Sequence, residues 1–144
     1  MRFSHIVLSV TAITLAACSS AMLPTEPVVY SQSEAADSVR IRVGQTIVVG
    51  SIRVRFDAVE ADSRCPSDVV CVWAGDAVAN MTVEQNCDCK SPAFQLKLHT
   101  FLEPKSGVAY GNRVELRSLL PYPSSTSTIK PDAYWAWVRI VRVD

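Results

Sequence analysis

From Val39 onward, apolar residues recur at every second position, and this period constrains the fold more than any other feature. Val39, Ile41 and Val43 alternate with Arg40 and Arg42, and Ile52, Val54, Phe56 and Ala58 alternate with Arg53, Arg55 and Asp57. Successive side chains of a strand point to opposite faces, so this pattern describes strands with one face buried and one in water. The arginines then lie on solvated faces. Cys71 to Val83 carries the period longest: Cys71, Trp73, Gly75, Ala77, Ala79, Met81 and Val83 share one face, expected to meet the core. Gly75 marks a bulge or a close backbone approach, where two strands can join. Phe94, Leu96 and Leu98 repeat the pattern, as do Val114 and Leu116. The last strand, Ala133 to Val143, is apolar on both faces apart from Arg139 and Arg142.

No segment shows a helical stripe. Leu116 to Leu120 can close a single helical turn, which Pro121 and Pro123 would stop. Pro121 to Asp132 reads as a long loop, polar throughout from Ser124 to Thr128. About six to eight short strands with Gly and Pro between them predict an all-β chain: an antiparallel β-sandwich, immunoglobulin-like or similar. A partly closed barrel is the alternative.

The N-terminus has a different character. Arg2 precedes an apolar run from Ile6 to Ala17, the length of a secretory leader and too short to span a bilayer as an ordinary helix. The run closes on Leu15-Ala16-Ala17-Cys18. This order resembles the lipobox of a small bacterial lipoprotein. The resemblance implies cleavage before Cys18 and acyl chains on Cys18, which becomes the first residue. Each buried methylene contributes about 0.8 kcal/mol, so several chains would hold the protein firmly on a membrane. Ser19, where an aspartate would signal retention at the inner membrane, implies the outer membrane, facing the periplasm. Residues 1–17 are then a signal peptide, 18–37 a lipidated flexible tether, and 38–144 a single β-domain. A flexible tether of that length has an r.m.s. span of roughly 25 Å.

Lys and Arg (14) balance Asp and Glu (14) in the 144-residue chain. Loss of Arg2 with the leader leaves a net charge of about −1, which provides no basic patch and no case for nucleic acid.

Cys65, Cys71, Cys87 and Cys89 follow the lipid cysteine. An even number in an exported chain suggests two disulfides, with three full pairings open. Local pairing is the first choice, because Cys65 to Cys71 reads as a short polar loop whose ends can meet. Chain entropy does not decide the matter: this ring contributes about 2.5 kcal/mol and a Cys65–Cys87 bridge about 3.5 kcal/mol. In an extended strand, Cys87 and Cys89 stand near the upper limit of Cα separation for a disulfide; a turn brings them closer. The competing reading is that the Cys87 and Cys89 thiolates clamp a soft ion such as Cu(I), with His99 or Met81 as a further ligand. A lone Cys-x-Cys lacks the second pair of a structural zinc site, so no metal site and no cofactor is assigned.

Asp62-Ser63-Arg64-Cys65-Pro66, four residues, then Cys71-Val72-Trp73-Ala74-Gly75 resembles a segment of small, uncharacterised exported bacterial proteins and lipoproteins. The resemblance implies a compact β-domain with a Cys65–Cys71 bridge and brings no activity with it. Trp73 on the same strand face as Cys71 is expected to cover that cystine from within the core. Asp62 and Arg64 are expected to pair across the loop mouth, with a ligand-binding role for Asp62, Arg64 and Asp68 as the alternative.

Catalysis is not indicated. With His5 lost in the leader, His99 is the remaining histidine, in the polar register of a strand. No nucleophile–histidine–acid set, phosphate loop or metalloprotease helix is present. The best binding feature is aromatic. Trp135 and Trp137 share one face of the last strand, and core packing is favoured for them; facing outward, they would form a patch for an envelope protein or a glycan. Tyr122 in the Pro-rich loop is expected to be exposed. The sequence therefore points to a lipid-anchored, non-catalytic binding or structural module of the cell envelope. One alternative is an inhibitor of a lysozyme-like enzyme: Ser106-Gly107-Val108-Ala109-Tyr110 resembles the loop motif of one such family but lacks that pattern's tryptophan before Glu115. The other is copper handling through Cys87 and Cys89.

Overall fold

The computed structural model describes residues 28–30 and 38–143. Among these, nine strands form: β1 (Val28–Tyr30), β2 (Val39–Arg42), β3 (Thr46–Val49), β4 (Ile52–Asp62), β5 (Ala77–Gln85), β6 (Phe94–His99), β7 (Ser106–Ala109), β8 (Asn112–Leu120) and β9 (Trp135–Arg142). They make a five-stranded sheet in the order β1-β3-β4-β5-β6 and a four-stranded sheet in the order β2-β9-β8-β7. Every pairing is antiparallel except β1 with β3. Neither order closes on itself, so the fold is an antiparallel β-sandwich and the barrel alternative falls away.

The core between the sheets comes from the period-two positions. Ile52, Val54 and Phe56 of β4 and Ala79, Met81 and Val83 of β5 are fully buried, and Ile41, Val114, Ala136 and Val138 meet them from the other sheet. Two register shifts interrupt β4. The first lies at Asp57, whose carboxylate accepts hydrogen bonds from Thr82 Oγ1 at 2.7 Å and Arg55 Nε at 2.6 Å. The extra residue turns Ala58 out to solvent, against the simple alternation, and brings Val59 inward. A third shift lies in β8, between Leu116 and Ser118. There the chain continues as a strand to Leu120 and makes no helical turn, because Ser118 to Leu120 keep pairing with β9.

The first strand lies in a stretch that reads as tether. Val28–Tyr30 adds to the free edge of β3, in register Val28↔Ile47 to Tyr30↔Val49. Cys18, the leader and the rest of the stretch to residue 37 lie outside the described residues. The 38–144 domain boundary falls one residue before β2.

The cysteines pair locally. Cys65–Cys71 has a Cα separation of 5.9 Å and Cys87–Cys89 one of 5.2 Å. Because one pair precedes β5 and the other follows it, the two bridges sit at opposite ends of the sandwich.

Candidate functional site

One end of the sandwich is built from three connections: residues 63–76 between β4 and β5, 100–105 between β6 and β7, and 121–134 between β8 and β9. Three polar clusters, two of them buried or half-buried and the one at Asp68 exposed, lock them in place.

The first cluster centres on Arg64, which is only 5 % exposed. Its Nε and Nη2 donate to the two carboxylate oxygens of Asp62 at 2.8 and 2.6 Å. Nη1 donates to the Leu119 carbonyl and Nη2 also to the Pro121 carbonyl, at 2.8 Å for the latter. Tyr134 completes Asp62 with a hydroxyl donated at 3.0 Å. Pro121 ends β8, since it has no N–H for another rung. The chain then turns away, leaving carbonyls that a guanidinium fork can reach. Burial alone would raise the Asp62 pKa; the hydrogen bonds and charge of Arg64 outweigh it and hold the carboxyl below its usual range. Burial and the bond to Asp62 push the Tyr134 phenol up.

The second cluster fixes the 63–76 loop to the 121–134 loop. Ser67 N donates to the Pro123 carbonyl at 3.0 Å. The Asp68 carboxylate accepts from Ser125 N at 2.9 Å, Ser125 Oγ at 2.6 Å and Ser124 Oγ at 3.2 Å. Those bonds, Ser125's foremost, hold the Asp68 carboxyl below its usual range.

The third fixes the 100–105 loop. The Asp76 carboxylate contacts His99 Nδ1 at 2.6 Å, Thr100 Oγ1 at 3.1 Å, and the amides of Phe101 at 2.8 Å and Leu102 at 3.3 Å. Burial works against the charge of Asp76, but these four contacts prevail and lower its pKa to about 2. His99 is therefore a half-buried partner of Asp76, where its register suggested a solvated position. A folded-state pKa below the unfolded value contributes stability that is present above pH 4 and is lost as pH falls through 2. Asp76→Asn should therefore be less stable than the parent at pH 6, by about 2 kcal/mol. The two should converge near pH 2 in urea titrations; a gap that persists there would contradict this account.

Around these clusters the surface is apolar. Seven of the ten large apolar side chains exposed among the described residues lie at this end. Val69, Val70, Val72 and Trp73 come from the disulfide loop, with Val70 101 % and Trp73 83 % exposed. Phe101 and Leu102 come from the next loop, and Tyr122 from the third. Tyr122 is exposed as expected, with its ring centroid 4.7 Å from the Arg64 guanidinium carbon.

This corrects the expectation for Cys71 to Asp76. The segment is not strand, and Trp73 does not cover the cystine from the core. Gly75 is the cause. Its φ is +69°, and a Cβ there would lie 1.9 Å from the Ser63 carbonyl oxygen. The close approach is held by Ser63 N to Asp76 O at 2.7 Å and Cys65 N to Ala74 O at 2.9 Å. A left-handed residue breaks the strand period, so the alternation before it no longer points into the core.

The other candidate residues fall elsewhere or into structural roles. Asp62 and Arg64 do pair, but their polar atoms are used within the fold, so they form a clamp and not a ligand site. Trp135 and Trp137 face outward, correcting the favoured core placement, because Ala136 and Val138 fill the inward positions of β9. The indoles meet edge to face at 6.0 Å, and Arg40 covers Trp135 at 4.0 Å from its ring centroid. Cys87 and Cys89 are bonded to each other; Met81 is fully buried in the core and His99 is held by Asp76, so neither adjoins them. Ser106 to Ala109 is strand β7 with Ala109 buried, not a protruding loop. Tyr110 and Gly111, both with positive φ, make the two-residue turn to β8.

The apolar loop end is what the alternation hid. The available signal was Val69-Val70-Cys71-Val72-Trp73, apolar at five consecutive positions inside and beside a small disulfide ring. A ring that short cannot bury so many side chains at once. A hollow of about 60 Å³ on the outer face of the first sheet, lined by Thr46, Arg53, Arg55, Thr82 and Glu84, is well below the ~300 Å³ of a small-molecule pocket. No family model matches the chain, and no curated protein or solved structure matches it either.

Proposed function

We propose that this protein is a lipid-anchored, non-catalytic contact module of the cell envelope, held at the outer membrane on the periplasmic side. The observation that carries the reading is the loop end: apolar side chains are held outward on loops that a disulfide and three polar clusters make rigid. Exposed apolar patches of this kind mark interaction surfaces. A surface that is rigid before contact loses little conformational freedom on binding. The lipobox-like Leu15-Ala16-Ala17-Cys18 supports the anchor. The outward Trp135–Trp137 pair offers a second, weaker contact face, since Arg40 already covers one of its rings.

Intact-mass measurement of the protein from its native cells tests the anchor. The expected species begins at Cys18 and carries acyl chains, and Cys18→Ser should leave the membrane-anchored fraction of mature protein empty. A full-length, unacylated chain would sink the proposal.

A further inference from the structure

We infer that the apolar loop end docks on the bilayer that holds the anchor, with Val70, Val72 and Trp73 at the level of the lipid headgroups. This rests on the lipid-anchor reading above and names the surface that the loop end meets.

Chain direction is the first support. Strand β4 runs toward the apolar end, reaching it at Asp62; β3 is antiparallel to β4, and β1 is parallel to β3. So β1 runs away from that end, and Val28 is the end of β1 nearer to it. Val28 pairs with Ile47, which pairs with Val54. From Val54 to Asp62 along β4 is about 26 Å. The chain from Cys18 to Val28, fully extended, reaches at most about 35 Å. An acylated Cys18 thus reaches the level of the loop end and little beyond. An anchor there holds this end of the domain against the membrane.

Chemistry is the second support. A glycan or a charged peptide needs polar groups free to receive it. Here the carboxylates of Asp62, Asp68 and Asp76 and the guanidinium of Arg64 are all engaged within the protein. Beside exposed polar residues such as Glu103, Lys130 and Asp132, this end turns valine, tryptophan, phenylalanine, leucine and tyrosine outward. Tryptophan and tyrosine favour the membrane–water interface, where an amphipathic ring can keep one edge wet. The opposite end contrasts with this one: beside Cys87-Asp88-Cys89-Lys90, its exposed large apolar side chains among the described residues are Phe94 and Val108.

The test uses the native acylated protein reconstituted in vesicles of phosphatidylethanolamine and phosphatidylglycerol. Three tryptophans are present, so Trp135→Phe/Trp137→Phe leaves Trp73 as the reporter. Brominated acyl chains should cut Trp73 emission about twofold or more, as expected for an indole at headgroup depth. Val70→Asp/Val72→Asp should abolish that quenching and open Trp73 to iodide. Both valines are fully exposed, so these changes leave the core untouched. If the double Phe variant disturbs the fold, the unsubstituted protein compared with Trp73→Phe gives the same readout. Acylated protein whose Trp73 stays unquenched and open to iodide overturns the docking while the anchor stands. Trp73 shielded from both quenchers also overturns it, and points to a protein or glycan partner. A mass without acyl chains on Cys18 removes the anchor and the proposal together.

Discussion

Arg64→Ala should destabilise the domain by roughly 3–5 kcal/mol, the usual cost of breaking a buried ion pair from one side. The substitution leaves Asp62, 10 % exposed, with a negative charge and only the Tyr134 hydroxyl still donating to it from a side chain. It also strips donors from the Leu119 and Pro121 carbonyls and frees the end of β8 from the loop at 63–76. For a domain of this size, such a loss corresponds to a fall in melting temperature of roughly 15 °C or more. Arg64→Lys should recover only part of it, because an ammonium cannot serve both oxygens of Asp62 and two carbonyls in one plane. Pairing Arg64→Met with Asp62→Leu separates the terms. Removing both charges leaves no orphan carboxylate, so the double variant should be more stable than Arg64→Ala alone. Denaturant titration of the three proteins checks this. An Arg64→Ala penalty below about 1 kcal/mol, the range of surface ion pairs, would show that the pair is not the clamp described.

Gly75→Ala is the second large effect expected. Two costs add there. A positive φ disfavours an L side chain by about 1–2 kcal/mol. The new methyl would also meet the Ser63 carbonyl oxygen at 1.9 Å, a clash with backbone that no rotamer can relieve. Forcing atoms into filled space adds about 1–3 kcal/mol. Gly44 isolates the first cost: its φ is +80°, and nothing lies within 4 Å of its virtual Cβ. Gly44→Ala should therefore cost about 1–2 kcal/mol and Gly75→Ala about 3 kcal/mol or more. Equal penalties at the two glycines would refute the close approach at Gly75. Hydrogen exchange should show where the strain goes, with the Ser63 and Cys65 amides losing protection first, since they donate across the contact.

The layered β architecture was legible because period two survives wherever a strand has one dry face. Ile52, Val54, Phe56, Val114 and Leu116 all sit where alternation puts them. The same signal failed at Cys71, Trp73 and Gly75, which continue the phase of Ala77 through a segment that is not strand. Alternation records which residues are apolar; it does not record a left-handed glycine that redirects the backbone. Ala58 failed for a related reason, since one inserted residue at Asp57 reverses the faces beyond it. The Asp62–Arg64 pairing was legible from spacing. Its burial was not, because it depends on the Leu119 and Pro121 carbonyls, distant in sequence. The tryptophans of β9 were misplaced because an apolar stretch on both faces does not say which face lacks a covering layer.

The three-residue strand at Val28–Tyr30 bears on how copies of this protein coexist. Without it, β3 would be the sheet edge, with the unpaired backbone groups of Thr46 to Val49 on display. Such an edge is a template for another chain's strand. By laying its own chain along β3, each copy occupies its neighbour's landing strip. The sheet then ends on a three-residue strand, and a short edge offers an incoming chain few backbone groups to pair with.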